Sequence, residues 1–182
     1  MMKKVTVLFS LVLLLSTAGF SQIELKFNPI GALFGQIPVS AEYIINPNIG
    51  AEATFGYYYR NDNIIANSES SRIVTSLLGK YYFNPVVGGD KFYVFPYLRY
   101  ANNSYVIQTD GGEVTGQYTA FGVGFGTGYK WVANSNLVFD LGFGLGRNFS
   151  GGIEYSDPTY SAGTDLFFPI NIIARLSLGY RF

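Results

Sequence analysis

Charged residues of this chain recur at alternating positions among apolar ones, and eleven of them are candidates for a shared site. Glu52, for example, lies between Ala51 and Ala53. Acidic and basic groups that meet inside a narrow structure form ion pairs, because an unpaired buried charge is very costly. A gated narrow conduit or a ligand site built from the same groups stays open as the alternative. The candidates are Glu24, Lys26, Glu42, Glu52, Arg72, Lys80, Arg99, Lys130, Asp140, Arg175 and Arg181.

The chain contains no histidine and no cysteine. This composition excludes a Ser–His or Cys–His catalytic unit, a thiolate nucleophile, a histidine-ligated transition metal and disulfides. Acidic residues such as Asp62 and Glu69 lie scattered in polar stretches, where solvated side chains are more common than ligands of a divalent cation. We therefore predict no catalytic residues, no metal site and no cofactor.

Glycines form a second candidate feature, because they recur at every second position in two segments. One interpretation is a cavity for a small or apolar ligand. The favoured interpretation is a packed interior, in which inward aromatics such as Tyr58, Tyr93, Phe95 and Tyr97 fill the space beside the glycines. The string is not a nucleotide-binding loop, since no helix follows it. The glycines are Gly122, Gly124, Gly126, Gly128, Gly142, Gly144 and Gly146.

These residues must be positioned by strands, because apolar and polar residues alternate with a period of two in eight segments. Each segment is near or above the 9 to 11 residues that cross a bilayer as a tilted strand. The predicted fold is all-β, a transmembrane antiparallel up-and-down β-barrel of about eight strands. The segments are 23–33, 38–46, 49–60, 71–83, 91–101, 117–131, 136–147 and 169–182.

The connections between these segments alternate in length. Three are short, and the polar stretches 61–70, 102–116 and 148–168 are predicted as long loops. Short periplasmic turns and longer extracellular loops are typical of transmembrane barrels, and an even strand count places both termini in the periplasm. Pro96 and Pro29 lack the N–H that a ladder requires, so we expect a bulge or locally broken pairing at Pro96 and a similar disturbance at Pro29.

Alternation alone does not decide which face is outside, since a soluble sandwich or lipocalin-like barrel has its apolar face inward. The chain is 18% aromatic and 13% charged, whereas soluble domains are about 25% charged. Apolar-face aromatics also cluster at the predicted periplasmic ends of the segments, as an interfacial girdle requires. The apolar face is therefore predicted to meet lipid. The girdle residues are Tyr43, Tyr81, Phe83, Phe92, Tyr129, Trp131, Tyr180 and Phe182.

Residues 1–21 are predicted to be a secretory signal peptide, cleaved between Ser21 and Gln22, which leaves 22–182 as the barrel domain. Lys3 and Lys4 precede a short apolar run and small residues, which is the pattern of such leaders. Without them, ten basic and twelve acidic residues remain, a net charge of about −2. This charge offers no basic footprint for nucleic acid.

The last segment ends in alternating apolar residues and a terminal aromatic, namely Leu176, Leu178, Tyr180 and Phe182. Over 22–182 the chain resembles small eight-stranded outer-membrane barrels of the OmpA/OmpX type, in which such an ending is read by the barrel-assembly machinery. Three motifs resemble the uncharacterised outer-membrane barrel families of Bacteroidota. These motifs are Leu25-Lys26-Phe27-Asn28-Pro29-Ile30-Gly31, Ala41-Glu42-Tyr43 and Gly79-Lys80-Tyr81-Tyr82-Phe83.

The resemblance implies a location in the outer membrane of a Gram-negative bacterium, with outer-membrane lipid as the surrounding partner. The favoured function is a structural or surface-interaction protein with a plugged, charge-lined lumen, whose extracellular loops contact a possible partner. The first alternative is a transport function, as a narrow pore or a barrel that binds lipid or a small ligand. A membrane-embedded enzyme ranks third among these functions, because the chain has no histidine or cysteine for catalysis.

Overall fold

A computed structural model describes residues 22–29, 32, 35–62, 68–109, 112–156 and 170–182, so the predicted leader lies outside the described residues. Eight antiparallel strands pair in chain order, and β1 pairs with β8 to close the barrel. The predicted fold class is confirmed. The strands are β1 Gln22–Phe27, β2 Gln36–Asn46, β3 Ile49–Asp62, β4 Ser68–Tyr82, β5 Lys91–Thr109, β6 Gly112–Val132, β7 Leu137–Tyr155 and β8 Ile170–Arg181.

The apolar face of each strand lies on the outside of the barrel. Phe125 is 74% exposed, and Leu141 and Phe143 of β7 are about half exposed. Their neighbours Asp140 and Gly142 are buried. The outward orientation predicted from the sequence is therefore correct, and it leaves a broad apolar band around the molecule. No helix within the described ranges is long and apolar enough to cross a membrane.

One end of the barrel, here called the lower end, holds Gln22, Arg181 and the three short turns. The turn after β4 folds across this end: the Gly89 amide donates to the Pro47 carbonyl at 2.8 Å, and Arg181 Nη2 donates to the Gly89 carbonyl at 3.2 Å. Gly88 and Gly89 have φ angles of 82° and 57°, a backbone conformation that favours glycine. The predicted girdle aromatics lie at the lower end, with ring pairs such as Tyr129 and Trp131 4.4 Å apart.

The opposite, upper end differs from the sequence prediction, because much of the polar stretches 61–70, 102–116 and 148–168 is strand. β5 and β6 pair as far as Thr109 and Gly112, and β7 continues to Tyr155. Antiparallel backbone hydrogen bonds continue there without an outward apolar face. In the upper part of β6, Val114, Tyr118 and Ala120 are buried inside the barrel, whereas Thr115 and Gln117 are exposed.

Strand pairing is interrupted near Pro96 and Pro29, as expected, but at Pro96 the interruption affects only one of the two neighbouring strands. Between β4 and β5, Leu78 pairs with Tyr97 and Tyr81 pairs with Val94, in the same register. The residues between these two pairs, 79–80 on β4 and 95–96 on β5, are not paired with each other. Pro96 pairs with Phe125 on its other side, so pairing is broken on one side only. β1 ends at Phe27 rather than continuing to 33, because Pro29 has no N–H to donate.

Candidate functional site

Nine of the eleven predicted charged residues meet inside the lower half of the barrel in a connected set, here called the ion-pair network. They come from seven strands, because each occupies an inward position of its strand. The fraction of each side chain that is exposed is at most 8%. The members are Glu24, Lys26, Glu42, Glu52, Lys80, Lys130, Asp140, Arg175 and Arg181.

Two ammonium groups and three carboxylates form the centre of the network. Lys26 Nζ lies 2.5 Å from Glu42 Oε2, 2.7 Å from Glu52 Oε2 and 2.9 Å from Asp140 Oδ2. Lys80 Nζ lies 2.8, 2.6 and 2.8 Å from the same three oxygens. The carboxylate oxygens lie within 4.8 Å of one another, a spacing compatible with a metal ion. In this structure the ammonium groups of Lys26 and Lys80 supply the positive charge between the three carboxylates.

Further ion pairs extend the network along the barrel axis. At the lower end, Glu24 is paired with Lys130 at 2.8 Å and with Arg181 Nη2 at 2.5 Å. At the upper side, Arg175 donates to Glu52. Each carboxylate therefore has at least one charged partner, which offsets the cost of taking these groups out of water.

Two tyrosines complete the hydrogen bonding of the network. Tyr82 donates to Glu42, and the Tyr93 hydroxyl donates to Asp140 Oδ1 at 2.5 Å. The Lys80 ammonium lies 4.6 Å from the centroid of the Tyr93 ring. The sequence analysis did not assign these roles, although Tyr82 occupies the same strand face as Lys80. With Tyr93, all eight strands contribute a polar group.

The predicted glycine face lies against inward rings of β5. A Cβ atom added at Gly124, Gly126 or Gly128 would collide with the ring of Tyr97, Phe95 or Tyr93, respectively. Those rings are at most 2% exposed. Gly142, Gly144 and Gly146 face Tyr93 and Tyr97, whereas Gly122 faces Asn148 and Asn171. Tyr58 lies elsewhere, beside Gly56 and Arg72.

Arg72 and Arg99 are the two predicted charged residues that lie apart from the network. They lie above it, and no carboxylate pairs with either one among the residues whose side chains the structure describes. Both line a cavity of about 290 Å³, here called the upper chamber, and both also line a neighbouring cavity of about 190 Å³. Ser40, Thr54 and Arg175 are among the other residues that line the upper chamber.

No protein-family model matches this chain, and no curated protein matches it in sequence. Among solved structures, it is similar to Ail, the attachment invasion locus protein of Yersinia pestis, with a TM-score of 0.55 and 12% identity over 89% of this chain and 97% of Ail. It is also similar to a major outer membrane protein from Thermus thermophilus, with a TM-score of 0.51 and 16% identity over 89% of this chain and 98% of that one.

Neisserial surface protein A aligns with 88% of this chain and 94% of its own length, at 15% identity and a TM-score of 0.43. The identities to Ail and the Thermus protein are low, so the likeness to them concerns the fold. The chain has the closed eight-stranded barrel fold found in outer-membrane proteins.

Proposed function

We propose that this chain is a structural or surface-interaction protein of the outer membrane of a Gram-negative bacterium, with a plugged lumen. The observation that carries the proposal is the ion-pair network, which joins buried charges of seven strands across the lower half of the lumen. An eight-stranded barrel has room for side chains but not for a wide aqueous pore. Tyr93, Phe95 and Tyr97 fill further lumen space beside the glycine face.

The outer face supports a membrane location. Its apolar side chains form a continuous band, and soluble monomers rarely expose apolar patches of this extent. On β5 the outward residues Phe92, Val94, Leu98 and Tyr100 are exposed and apolar, and the next outward residue is Asn102. The spanning part of β5 therefore ends near Tyr100.

The lengths of the strands support an orientation with the upper end outside the cell. β5 has 19 residues and β6 has 21, whereas about 9 to 11 cross a bilayer. Short turns and both described chain ends lie at the lower end, which is the periplasmic side in this orientation. Within the described part of the chain, the paired extensions of β5, β6 and β7 are then a surface available to an extracellular partner.

Planar-bilayer recording tests the plugged lumen. We expect no steady single-channel conductance from the purified protein. A matched variant with Tyr93→Ala and Tyr97→Ala removes two rings beside the glycine face but keeps every charge of the ion-pair network, so we expect it to stay closed as well. Steady conductance by the parent protein would contradict the proposal and favour the first alternative, a narrow transport pore.

We also propose that the outward residues Leu176, Leu178, Tyr180 and Phe182 of the last segment are read by the barrel-assembly machinery. Deletion of Phe182 is expected to leave the chain in the periplasm, whereas Phe182→Tyr keeps an aromatic ring and should assemble. Equal outer-membrane yields of the deletion variant and the parent would contradict this role. The narrower likeness to Bacteroidota barrels stays a prediction based on the three sequence motifs.

The proposal includes a non-enzymatic role, since the chain has no histidine or cysteine to act on lipid. A comparison of lipid masses between cells with and without the protein tests this part. A modified lipid that depends on the protein would favour the third alternative, a membrane-embedded enzyme.

A further inference from the structure

We propose that the upper chamber binds a phosphate monoester group between Arg72 and Arg99. This site goes beyond the structural role proposed above, because a plugged lower lumen needs neither arginine. Both side chains line the upper chamber and the neighbouring cavity, so they stand at the junction of two spaces inside the same barrel.

The charge of the lumen leaves these two arginines unmatched. The ion-pair network contains five cations and four carboxylates, so it has no spare negative charge for another cation. Among the described residues, no Asp or Glu lines either cavity. Arg72 and Arg99 also repel each other electrostatically. An anion in the chamber would reduce both the repulsion and the excess of positive charge.

The hydrogen bonding of the arginines points to a missing acceptor. Arg72 Nε is buried without a hydrogen-bond partner, and its guanidinium lies 5.7 Å from the centroid of the Tyr58 ring. Buried polar groups in native proteins are nearly always hydrogen-bonded, so such an atom calls for an explanation. Arg99 Nη1 donates to Asn171 Oδ1 at 2.9 Å and to the Ile172 carbonyl at 2.8 Å, which fixes this guanidinium at the chamber wall.

Charge and shape select the class of ligand. A phosphate monoester carries a charge of about −1.5 to −2 at neutral pH, which matches two guanidinium groups, whereas a single carboxylate would leave one charge unmatched. Guanidinium forks bind the oxygens of such groups in a bidentate manner. Ser40 and Ser76 also line the chamber and offer hydroxyl donors. The volume of about 290 Å³ is at the lower limit for ligand pockets, which suits a headgroup-sized molecule.

The phosphate monoester could belong to a free metabolite-sized molecule or to a lipid headgroup. The wall of the chamber includes Val39 of β2 and Ala174 of β8, and both residues are also exposed on the outer face. Among the described residues, β1 and β8 pair at four positions, and Ala174 lies four residues above the last of these on β8, Leu178. Lipid at the outer face would therefore be close to the chamber.

Binding to the purified protein in phosphate-free buffer, in detergent for the first probe and in nanodiscs for the second, tests the proposal. Glycerol 3-phosphate is the free monoester, measured by titration calorimetry. Phosphatidic acid in nanodiscs is the lipid monoester, compared with phosphatidylcholine alone by native mass spectrometry. We expect saturable one-site binding of at least one probe. Binding of glycerol 3-phosphate assigns a free source, and retention of phosphatidic acid alone assigns a lipid source.

Arg72→Gln combined with Arg99→Gln is expected to weaken binding by about tenfold or more. Arg147→Gln is the matched control, because Arg147 is an exposed, outward arginine of β7 and its loss should leave binding unchanged. Absence of saturable binding to the parent with both probes would overturn the proposal. Equal affinity of the parent and the double variant would do the same, as would an equal loss in Arg147→Gln.

A second measurement separates a binding role from a structural one. In phosphate-free buffer, Arg72→Gln alone should keep or raise the unfolding midpoint, because it removes an unmatched charge and an unpartnered donor. Glycerol 3-phosphate or phosphatidic acid should raise the midpoint of the parent and not that of this variant. A clear loss of stability in Arg72→Gln without ligand would show that the guanidinium supports the fold, and would overturn the proposal.

Discussion

Asp140 connects the two central ammonium groups to the Tyr93 hydroxyl. Asp140→Asn keeps the size of the side chain and removes its charge, which leaves Lys26 and Lys80 with two central carboxylates. Removing one partner from a buried ion pair costs about 3–5 kcal/mol, so we expect a loss of this order in the free energy of unfolding. Urea unfolding in lipid vesicles measures it.

A second substitution should reverse part of this loss. Lys80→Met, added to Asp140→Asn, removes one cation and restores the network to a single excess positive charge. We expect the double variant to be more stable than Asp140→Asn alone. Lys80→Met could instead lower the free energy of unfolding of Asp140→Asn by as much as it lowers that of the parent protein. The two residues would then act independently, and charge balance would not explain their pairing.

Gly124 and Gly79 offer a matched test of the packed lumen. A Cβ atom at Gly124 would collide with the Tyr97 ring and the Leu145 carbonyl, whereas one at Gly79 meets only Pro96, 4.0 Å away on the outer face. We expect Gly124→Leu to cost about 1–3 kcal/mol by overpacking and Gly79→Leu to cost less. Equal stabilities of the two variants in the unfolding assay would show that the glycine face borders open space.

The alternating pattern predicted which charged residues face inward, but not their height along the barrel. Arg72 and Lys80 lie on the same face of β4, and only the register with β3 shows that Arg72 is opposite Tyr58 while Lys80 is opposite Gly50. The separation of Arg72 and Arg99 from the network therefore depends on side-chain reach and strand register. Neither is visible in a single sequence.

At the scale of the strand, two outward leucines of β7 can be used to test how deep each part of the strand lies in the bilayer. Leu137 and Leu141 are both outward and exposed, and Leu137 begins the strand at the lower end. An arginine near the bilayer midplane costs about 2–4 kcal/mol and one near the interface about 0–1 kcal/mol. We expect Leu141→Arg to reduce folding stability in vesicles by clearly more than Leu137→Arg. Equal costs would contradict the predicted membrane depth of β7.

Strand bounds were predicted well where an outward apolar face exists and poorly beyond it. β3 begins at Ile49 as predicted, since a short Asn-Pro-Asn turn precedes it. The upper parts of β5 and β6 were predicted as loop because Asn102, Asn103 and Ser104 carry no apolar alternation. Backbone pairing continues these strands beyond the outward apolar face, and the inward residues Val114, Tyr118 and Ala120 are buried there.

At the scale of the whole molecule, closure depends on the pairing of β1 with β8. Leu25 is opposite Tyr180 in this register, and directly opposite residues have Cα atoms about 4.5–5.5 Å apart, within the range of a disulfide. Because the chain has no cysteine, Leu25→Cys with Tyr180→Cys should form one disulfide on oxidation of the folded protein. Gel mobility before and after reduction measures it.

The control for this experiment places the second cysteine two residues away. Leu25→Cys with Leu178→Cys sets the Cα atoms about 7–8 Å apart, so we expect little bridging. Equal bridging of both pairs would contradict the register between β1 and β8.

The ion pair between Glu24 and Arg181 joins residues 157 positions apart in the chain. Contacts of such long sequence separation slow folding, because the intervening chain must be ordered before the contact forms. The lower part of the plug is therefore incomplete until β8 is in place. We expect barrel closure and completion of the plug to occur in one late, cooperative step of folding. Before that step, a partly folded chain has both an open seam between β1 and β8 and unpaired charges in the lumen.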